Sequence, residues 1–543
     1  MTLGKTSKLV IGTLLLGMVI ALGTVGVKKR IRNLIQAEIV HFNNTRPYTF
    51  AFDNLELSLL KSSAEFQNLS LIPDSVSTSG EVRDSFEHPH IFVQSLQMKG
   101  LNAFAIVLRK HLVIESMGVN GIEVLYQKKS ATDHRFRVQN ENKSERTILL
   151  SKLKEIKLGR FFVSDFSFTL TQADRDTLAS YTLKEFEIDG IRLQKRPNIP
   201  SLFSINTDDL SLRLSNQRLG LAQKEYDLEL GDVQFNAKKG LLKMKNVSYG
   251  PMLPKEKLGS KYRYNTTITE SLLPNVTVYG LAIEKLFFNQ GVHLDSLILE
   301  SPKFVIYKDN SRPWNKSKRP KLPSELLRDI GDRFYFKTMV FREASLDYTE
   351  KTENHGKPLN VPMRNLYLNI NRAEQKQGSS SLNISMDCEV FGNLPLELVL
   401  AFPDFESSDD FYFSGSTGST TFQSFNPVLL PTSGIKFEKG NLKGMTFKGK
   451  ANSLHAEGSL TMLYDDLQAA VFKKNQTEKN KTVSFFANQA VRSSNPSRSG
   501  RTMAGAIDFN RVEYKGFGNF LFKSIESGII NSVYPLGKRK REK

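Results

Sequence analysis

Side chains able to do chemistry are few in this chain, and none stands at the spacing its chemistry needs. Cys388 is the single cysteine in 543 residues, which excludes an internal disulfide and a cysteine-based metal cluster. On a strand it reads as a small buried hydrophobe. The eight histidines include no HExxH, and His88-Pro89-His90 reads as part of a polar loop, not as a metal site. Asp208-Asp209, Asp409-Asp410 and Asp465-Asp466 are adjacent acidic pairs. Neighbours on a strand point to opposite faces, so these read as turn residues and not as carboxylates paired for acid–base work. No Gly-rich loop ends in Lys and Ser or Thr, so there is no P-loop. Phe413 to Phe422, FSGSTGSTTF, contains Gly415 and Gly418 but lacks the GxSxG elbow and its partners; it reads as a turn. The expectation is a protein that is not an enzyme, with no catalytic residue, no metal and no cofactor.

Pattern takes the place of chemistry. Lys99 to Val119, KGLNAFAIVLRKHLVIESMGV, aligns without a gap to Tyr279 to Leu299, YGLAIEKLFFNQGVHLDSLIL. Gly100 meets Gly280, Glu115-Ser116 meets Asp295-Ser296, and Leu112, Ile114, Met117 and Val119 meet Val292, Leu294, Leu297 and Leu299. Three further blocks follow in the same order at nearly the same shift. Asn54–Pro73 aligns with Asp232–Pro251, bringing Asn68 onto Asn246 and Pro73 onto Pro251. Phe161 and Val163 align with Met339 and Phe341, and Phe186 and Ile188 with Leu366 and Leu368. Repetition in register indicates tandem units.

Within each unit the period is two, as in NLELSL, SFTLT, DLSLRLS, NLYLNI and LNISM. Such alternation predicts strands with one apolar and one wet face. Glu115-Ser116 and Asp295-Ser296 shift that phase by one residue, as a β-bulge or a tight turn does. Long helical patterns are scarce, so the strands are expected to be mostly antiparallel. Near the end, Phe517, Leu521, Ile525 and Ile529 recur four apart, one face of an amphipathic helix. A basic tail with Lys538, Arg539, Lys540 and Arg541 follows.

At the other end, Leu9 to Val27 carries no charge, and includes Leu14, Leu15, Leu16, Val19, Ile20 and Leu22. As a helix it spans about 30 Å, the thickness of a bilayer's hydrocarbon core. A cleaved signal peptide has a shorter apolar run ending in small residues; here Lys28, Lys29, Arg30 and Arg32 follow at once. The reading is one uncleaved transmembrane anchor. Flanking charge taken alone points to a cytoplasmic body, since Lys5 and Lys8 are outnumbered by the four basic residues after the span. The net charge of +19 comes from basic residues spread along the chain without a nucleic-acid-binding motif. Behind an anchor it fits anionic lipid instead.

The resulting organisation is a short tail at 1–8, a transmembrane helix at 9–27 and a linker helix at 28–49. Repeat units follow at 50–228 and 229–405, then a C-terminal β region at 406–516 with a mobile loop at 473–501. The amphipathic helix and basic tail occupy 517–543.

A single anchor followed by FDNLELSLLKSSAEFQNLSL and VQSLQMKGLNAFAIVLRKHLVIESMGVNGIEVLY resembles the AsmA-like family of bacterial envelope proteins. FNPVLLPTSGIKFEKGNLKGMTFKGKANSLHAEGSLTMLYDDL and FGNFLFKSIESGIINSVYP are similar to that family's C-terminal region. The resemblance covers most of the chain through loose apolar patterns. It implies an elongated, twisted antiparallel β-sheet folded into a groove, apolar inside, as in bridge-like lipid transfer proteins. It also implies an inner-membrane anchor with the body in the periplasm, opposite to the flanking-charge count, and phospholipid transport that supports outer-membrane integrity. On that reading Leu112, Ile114, Val119, Val292, Leu294 and Leu299 line the groove and phospholipid acyl chains are the ligand. Phe517, Leu521, Ile525 and Ile529, with the basic tail, then touch a membrane or an envelope protein partner at the far end. The alternative is that the strand faces pack on one another as closed sandwiches, in an assembly factor that binds protein.

Overall fold

The computed structural model describes residues from 36 to 534 with interruptions. The longest stretches outside the description are 1–35, 74–88, 101–110, 129–154, 472–491 and 535–543. The expected membrane span at 9–27, the basic tail, His88 and Asp208-Asp209 therefore lie outside the described residues. Among the described residues no helix is long and apolar enough to cross a membrane.

The chain divides into two compact units at Val247/Ser248, with the short piece 287–289 counted in the first. Sequence repetition placed the change of unit at 228/229 and a separate C-terminal region from 406; the contacts hold residues 290–543 in one unit. The strands are β1 (Tyr48–Ala51), β2 (Asn54–Ser58), β3 (Ser63–Pro73), β4 (His90–Lys99), β5 (His111–Lys128), β6 (Glu155–Gln172), β7 (Thr177–Arg196), β8 (Ile199–Asn206), β9 (Ser211–Leu221) and β10 (Tyr226–Asn236). They continue as β11 (Leu241–Pro251), β12 (Thr267–Tyr279), β13 (Val292–Glu300), β14 (Lys303–Asp309), β15 (Phe334–Lys351), β16 (Leu359–Glu374), β17 (Ser380–Val390) and β18 (Leu394–Phe402). The last are β19 (Phe411–Thr417), β20 (Thr420–Thr421), β21 (Ile435–Ala451), β22 (His455–Val471) and β23 (Ala504–Asn510). Helices are α1 (Lys255–Lys261), α2 (Ile283–Phe287), α3 (Pro323–Ile330), α4 (Asn426–Ser433) and α5 (Phe517–Val533).

Alternation in the sequence accounts for the strands, and the pairings account for the repeat. In the first unit β3, β4 and β5 are antiparallel neighbours, β5 runs parallel to β6, and β6 returns antiparallel to β7. In the second unit β12 is antiparallel to β13 and β14, both of these run parallel to β15, and β15 is antiparallel to β16. The register repeats too: Leu112 pairs with Ile156, and its counterpart Val292 with Phe334. Each unit thus contains a parallel step, so the sheet is mixed and not antiparallel throughout. In the second unit the crossover between β14 and β15 carries only the short α3 and a turn of 3-10 helix at Gly331–Arg333. A rule that looks for a long crossover helix misses such a step.

Other local expectations change in the folded chain. FSGSTGSTTF forms β19 and β20 instead of a turn. Asp465-Asp466 lies within β22, at a break in the β21–β22 register where Asp466 has φ +50°. Of the stretch expected to be mobile, the described part from residue 492 is pinned. Asn495 is fully buried, and its amide donates to the Met462 carbonyl (2.6 Å) and the Met503 carbonyl (2.9 Å).

Candidate functional site

Reading across the paired strands shows where the apolar alternation leads. In the first unit Leu55 on β2 pairs with Phe66, Phe66 with Leu96, and Leu96 with Val119. The row continues through Val163, Phe186 and Leu214 to Val233 on β10. Two residues along each strand, a second row joins Ala64, Met98, Met117 and Phe161 to Ile188, Leu212 and Phe235. At about 4.8 Å per strand eight strands make an apolar band on the order of 30 Å wide.

The second unit builds the same band. Val276, Leu299, Phe341 and Leu368 pair in sequence, then Met386, Leu398, Gly415, Phe447, Leu460 and Gly505. Leu96, Val119 and Val163 in the first unit correspond to Val276, Leu299 and Phe341 in the second. Strand pairing sets Phe186 opposite Val163 and Leu368 opposite Phe341. Leu368 is therefore the counterpart of Phe186, two residues beyond the Leu366 that sequence alignment offered. The connection from β15 (ending at Lys351) to β16 (starting at Leu359) is longer than that from β6 (ending at Gln172) to β7 (starting at Thr177), and this accounts for the slip.

The phase shift read from the sequence is present. Ile114 and Val119 are 2% and 7% exposed, and Leu294 and Leu299 are 5% and 6% exposed, although the members of each pair stand an odd number of positions apart. Between them Glu115 and Asp295 are exposed. Gly100 and Gly280, with φ +70° and +66°, bring the chain so close that a Cβ on either would collide with the Glu115 or Asp295 side chain. Glycine is the residue for that conformation.

Burial along the rows is uneven. Leu96, Met98, Val233 and Phe235 are buried at the two flanks of the first band, whereas Phe161, Phe186, Ile188, Leu212 and Leu214 between them are half-buried. In the second band Val276 and Leu299 are buried on one side, Phe447 and Leu460 on the other. Phe341, Leu368, Ile370, Ile384, Met386 and Leu398 between them are half-buried. Of the six residues expected to line a groove, Ile114, Val119, Leu294 and Leu299 belong to the buried flank and Val292 is half-buried; the Leu112 side chain lies outside the described residues. The half-open middle was missed, although NLYLNI and LNISM carry part of it. Alternation reveals two parities and does not say where a covering element stops.

The opposite parity is charged and cross-linked. Arg213 reaches Asp189 at 2.7 Å and Glu187 at 2.5 Å, and Arg160 reaches Glu187 at 2.8 Å. Burial pushes the Glu187 carboxyl up, but hydrogen bonds from Arg213 and Arg160 outweigh it and hold the group below the usual carboxylate range. In the second unit Lys337 pairs with Asp295 at 2.6 Å and Arg342 with Glu300 at 2.9 Å. In each unit the sheet is therefore amphipathic, wet on one face and apolar on the other.

One end of the second band is closed. Leu382, Phe402 and Phe405 are buried there, and Phe402 stacks on Phe411 at 5.1 Å. Arg372, on the apolar parity, lies between the rings of Tyr335 (4.7 Å) and Phe405 (5.2 Å) and donates to Glu406 at 2.9 Å. Arg328 of α3 donates to the Phe405 and Ser408 carbonyls at 2.8 and 2.9 Å. Cys388 is buried on the apolar parity, and burial, aided by the charges of Asp387 and Glu389, pushes its thiol up to about 11. Among the described residues no group of histidine, cysteine and acidic side chains could hold a metal ion.

Helix α5 packs on β22 and β23. Its buried residues are Phe520, Ser524, Gly528 and Ser532, while Phe517, Leu521, Ile525 and Ile529, expected to touch a membrane or a protein partner, are half-buried. Phe517 and Phe520 meet the Phe411 ring at 5.6 and 6.5 Å.

No protein-family model matches the chain, and a comparison with curated proteins finds no match.

Proposed function

We propose that the chain is a non-enzymatic, membrane-anchored lipid-binding protein of the AsmA-like kind. In this reading Leu9 to Val27 anchors it in the bacterial inner membrane and the body lies in the periplasm. The apolar bands hold or move phospholipids between the inner and outer membranes and so support outer-membrane integrity. The observation that carries the proposal is the half-buried middle of both bands, Phe186 to Leu214 in one and Phe341 to Leu398 in the other, behind a charged outer face. A closed core buries such rings and leucines fully; a trough leaves them for a ligand. Each acyl CH₂ taken from water gains about 0.8 kcal/mol, so a lipid binds without a dedicated polar site. A band on the order of 30 Å wide exceeds one leaflet, about half of the ~30 Å bilayer core. A passive trough supplies no direction of its own.

A second reading, an envelope assembly factor that binds protein, draws on the near-complete burial of Ile114, Val119, Leu294 and Leu299. Mass spectrometry of lipids that co-purify, without detergent, with residues 46–543 exported to the periplasm separates the two. Several phospholipids per folded chain are expected. A well-folded chain free of lipid would leave the assembly-factor reading.

A further inference from the structure

Trp314 is the only tryptophan in the chain. It stands in the stretch that joins β14 to α3, and two ammonium groups lie over its ring. Lys308 Nζ of β14 is 5.0 Å from the ring centroid, and Lys515 Nζ, from the turn between β23 and α5, is 5.1 Å from it. The Tyr514 ring borders the indole at 6.0 Å. Each cation is attracted by the ring, but the two repel each other, and Lys318 adds a third charge. Burial holds the Lys308 ammonium below the ordinary lysine range, and the charges of Lys515 and Lys318 push it the same way, against the pull of Glu350.

No carboxylate neutralises this group. Among the described residues none of Lys308, Lys318 and Lys515 forms an ion pair, and the acids beside them are engaged elsewhere: Asp309 by Lys351 at 3.4 Å and Glu513 by Arg319 at 2.7 Å. Glu350, opposite Lys308 in the β14–β15 register, accepts from Tyr348 Oη and Asn310 Nδ2. The frame around the lysines is tied down. Arg312 donates to the Ser260 carbonyl at 3.1 Å, the Asn265 N–H donates to the Pro313 carbonyl at 3.0 Å, and Arg511 donates to the Pro320 carbonyl. Leu322, at the end of the stretch, is fully buried. Repulsion among the lysines is thus built into the folded chain, and an oxyanion between them relieves it without ordering a new loop. Lysine binds phosphate as a point charge with three donors, and several ammonium groups suit a multiply charged phosphate better than a single carboxylate.

We infer that Lys308, Lys318 and Lys515 around Trp314 form a binding site for a phosphate group, carried by a lipid headgroup or free in solution. The site lies outside the rows of both apolar bands and does not require them to hold lipid.

The full chain in uncharged detergent is titrated with inorganic phosphate while the indole emission is followed. Trp314 reports alone, since the chain has no other tryptophan. The heat of the same titration is read in parallel, so a silent indole does not hide binding. Chloride at matched ionic strength controls for screening. A saturable response is expected with phosphate and not with chloride. Lys308→Met, which keeps an apolar stem and removes the charge, and Lys515→Gln should each weaken binding by roughly tenfold or more. Lys316→Gln removes an exposed lysine of the same stretch and should leave binding unchanged. Phosphatidic acid dissolved in the same detergent, with phosphatidylcholine as its control, separates the sources. Tighter binding of phosphatidic acid than of inorganic phosphate assigns the site to a lipid headgroup, and the reverse order assigns it to free phosphate. No saturable response in the wild-type chain, by emission or heat, overturns the inference and leaves the lysines as struts against the ring. So does a response matched by chloride, or one that survives both Lys308→Met and Lys515→Gln.

Discussion

The two units start their apolar bands on the same pairings and finish them differently. Leu96, Val119 and Val163 in one and Val276, Leu299 and Phe341 in the other occupy matching places around the parallel step. Beyond that point the first unit adds β9 and β10 and ends at Val233 and Phe235. The second adds β17, β18, β19, β21, β22 and β23 by antiparallel neighbours and ends beneath α5. The repeated part is the difficult part, because it contains the change of phase and the parallel step. Antiparallel strands added afterwards keep the apolar parity on one face at no topological cost. The added strands differ also in composition. Gly415, Gly449, Gly458 and Gly505 stand in the second unit's rows where the first unit has only side chains. The Phe447 ring lies over Gly415 and the Phe413 ring over Gly449, so aromatic rings fill the space that glycine leaves.

If both bands are troughs, a charge placed mid-row should empty one and spare the other. Phe186→Arg and Leu368→Arg are the matched pair, since both residues are half-buried counterparts. An unpaired charge against an acyl chain costs several kcal/mol, the largest effect expected here. Each variant should lower the phospholipid carried per chain, and the double variant should carry almost none, as counted by mass spectrometry. A loss from only one substitution would show that the two bands do different jobs.

The equivalence of the two glycine turns is tested by Gly100→Ala and Gly280→Ala. A left-handed backbone costs a non-glycine residue roughly 1–2 kcal/mol, and the Cβ must also displace Glu115 or Asp295. Both variants should lower the denaturant midpoint by similar amounts. A large loss at one site and none at the other would mean that only one of the two turns is held rigidly.

Much of this was legible in the sequence and some was not. The glycine, the acid-serine pair and the flanking aliphatics at 100–119 and 280–299 announced the repeat and the phase change, because steric demands on glycine and parity are local. The parallel step was hidden, since sequence periodicity carries no information about which strand lies beside β5. Helix α5 starts at Phe517, as the sequence pattern indicated, but which face it turns inward was not legible. An apolar moment selects Phe517, Leu521, Ile525 and Ile529, whereas close approach to Gly505 selects the small stripe through Gly528. The half-open residues were visible as alternation and invisible as a site, because openness depends on what lies across from them.

The smallest effect distinguishes the charged faces. Glu187 has as its counterpart Asn369, the residue after Leu368. The Glu187 carboxyl is held below its ordinary range by Arg213 and Arg160, so its contribution to stability is full above the unfolded carboxylate value of about 4.3 and fades as pH falls through the lower folded value. Arg160 and Arg213 are 56% and 53% exposed, and solvent screening limits the contribution to below about 1 kcal/mol. Hydrogen-exchange protection of the β6, β7 and β9 amides, measured relative to the intrinsic rate at each pH, should therefore fall on acidification below about pH 4, and Glu187→Gln should flatten that response. Exchange in β15 and β16, where the neutral Asn369 stands, should be unchanged by the substitution. An acid response in β6 that survives Glu187→Gln would place its origin in another carboxylate of the same face, Asp189 or Glu155, both paired to arginine.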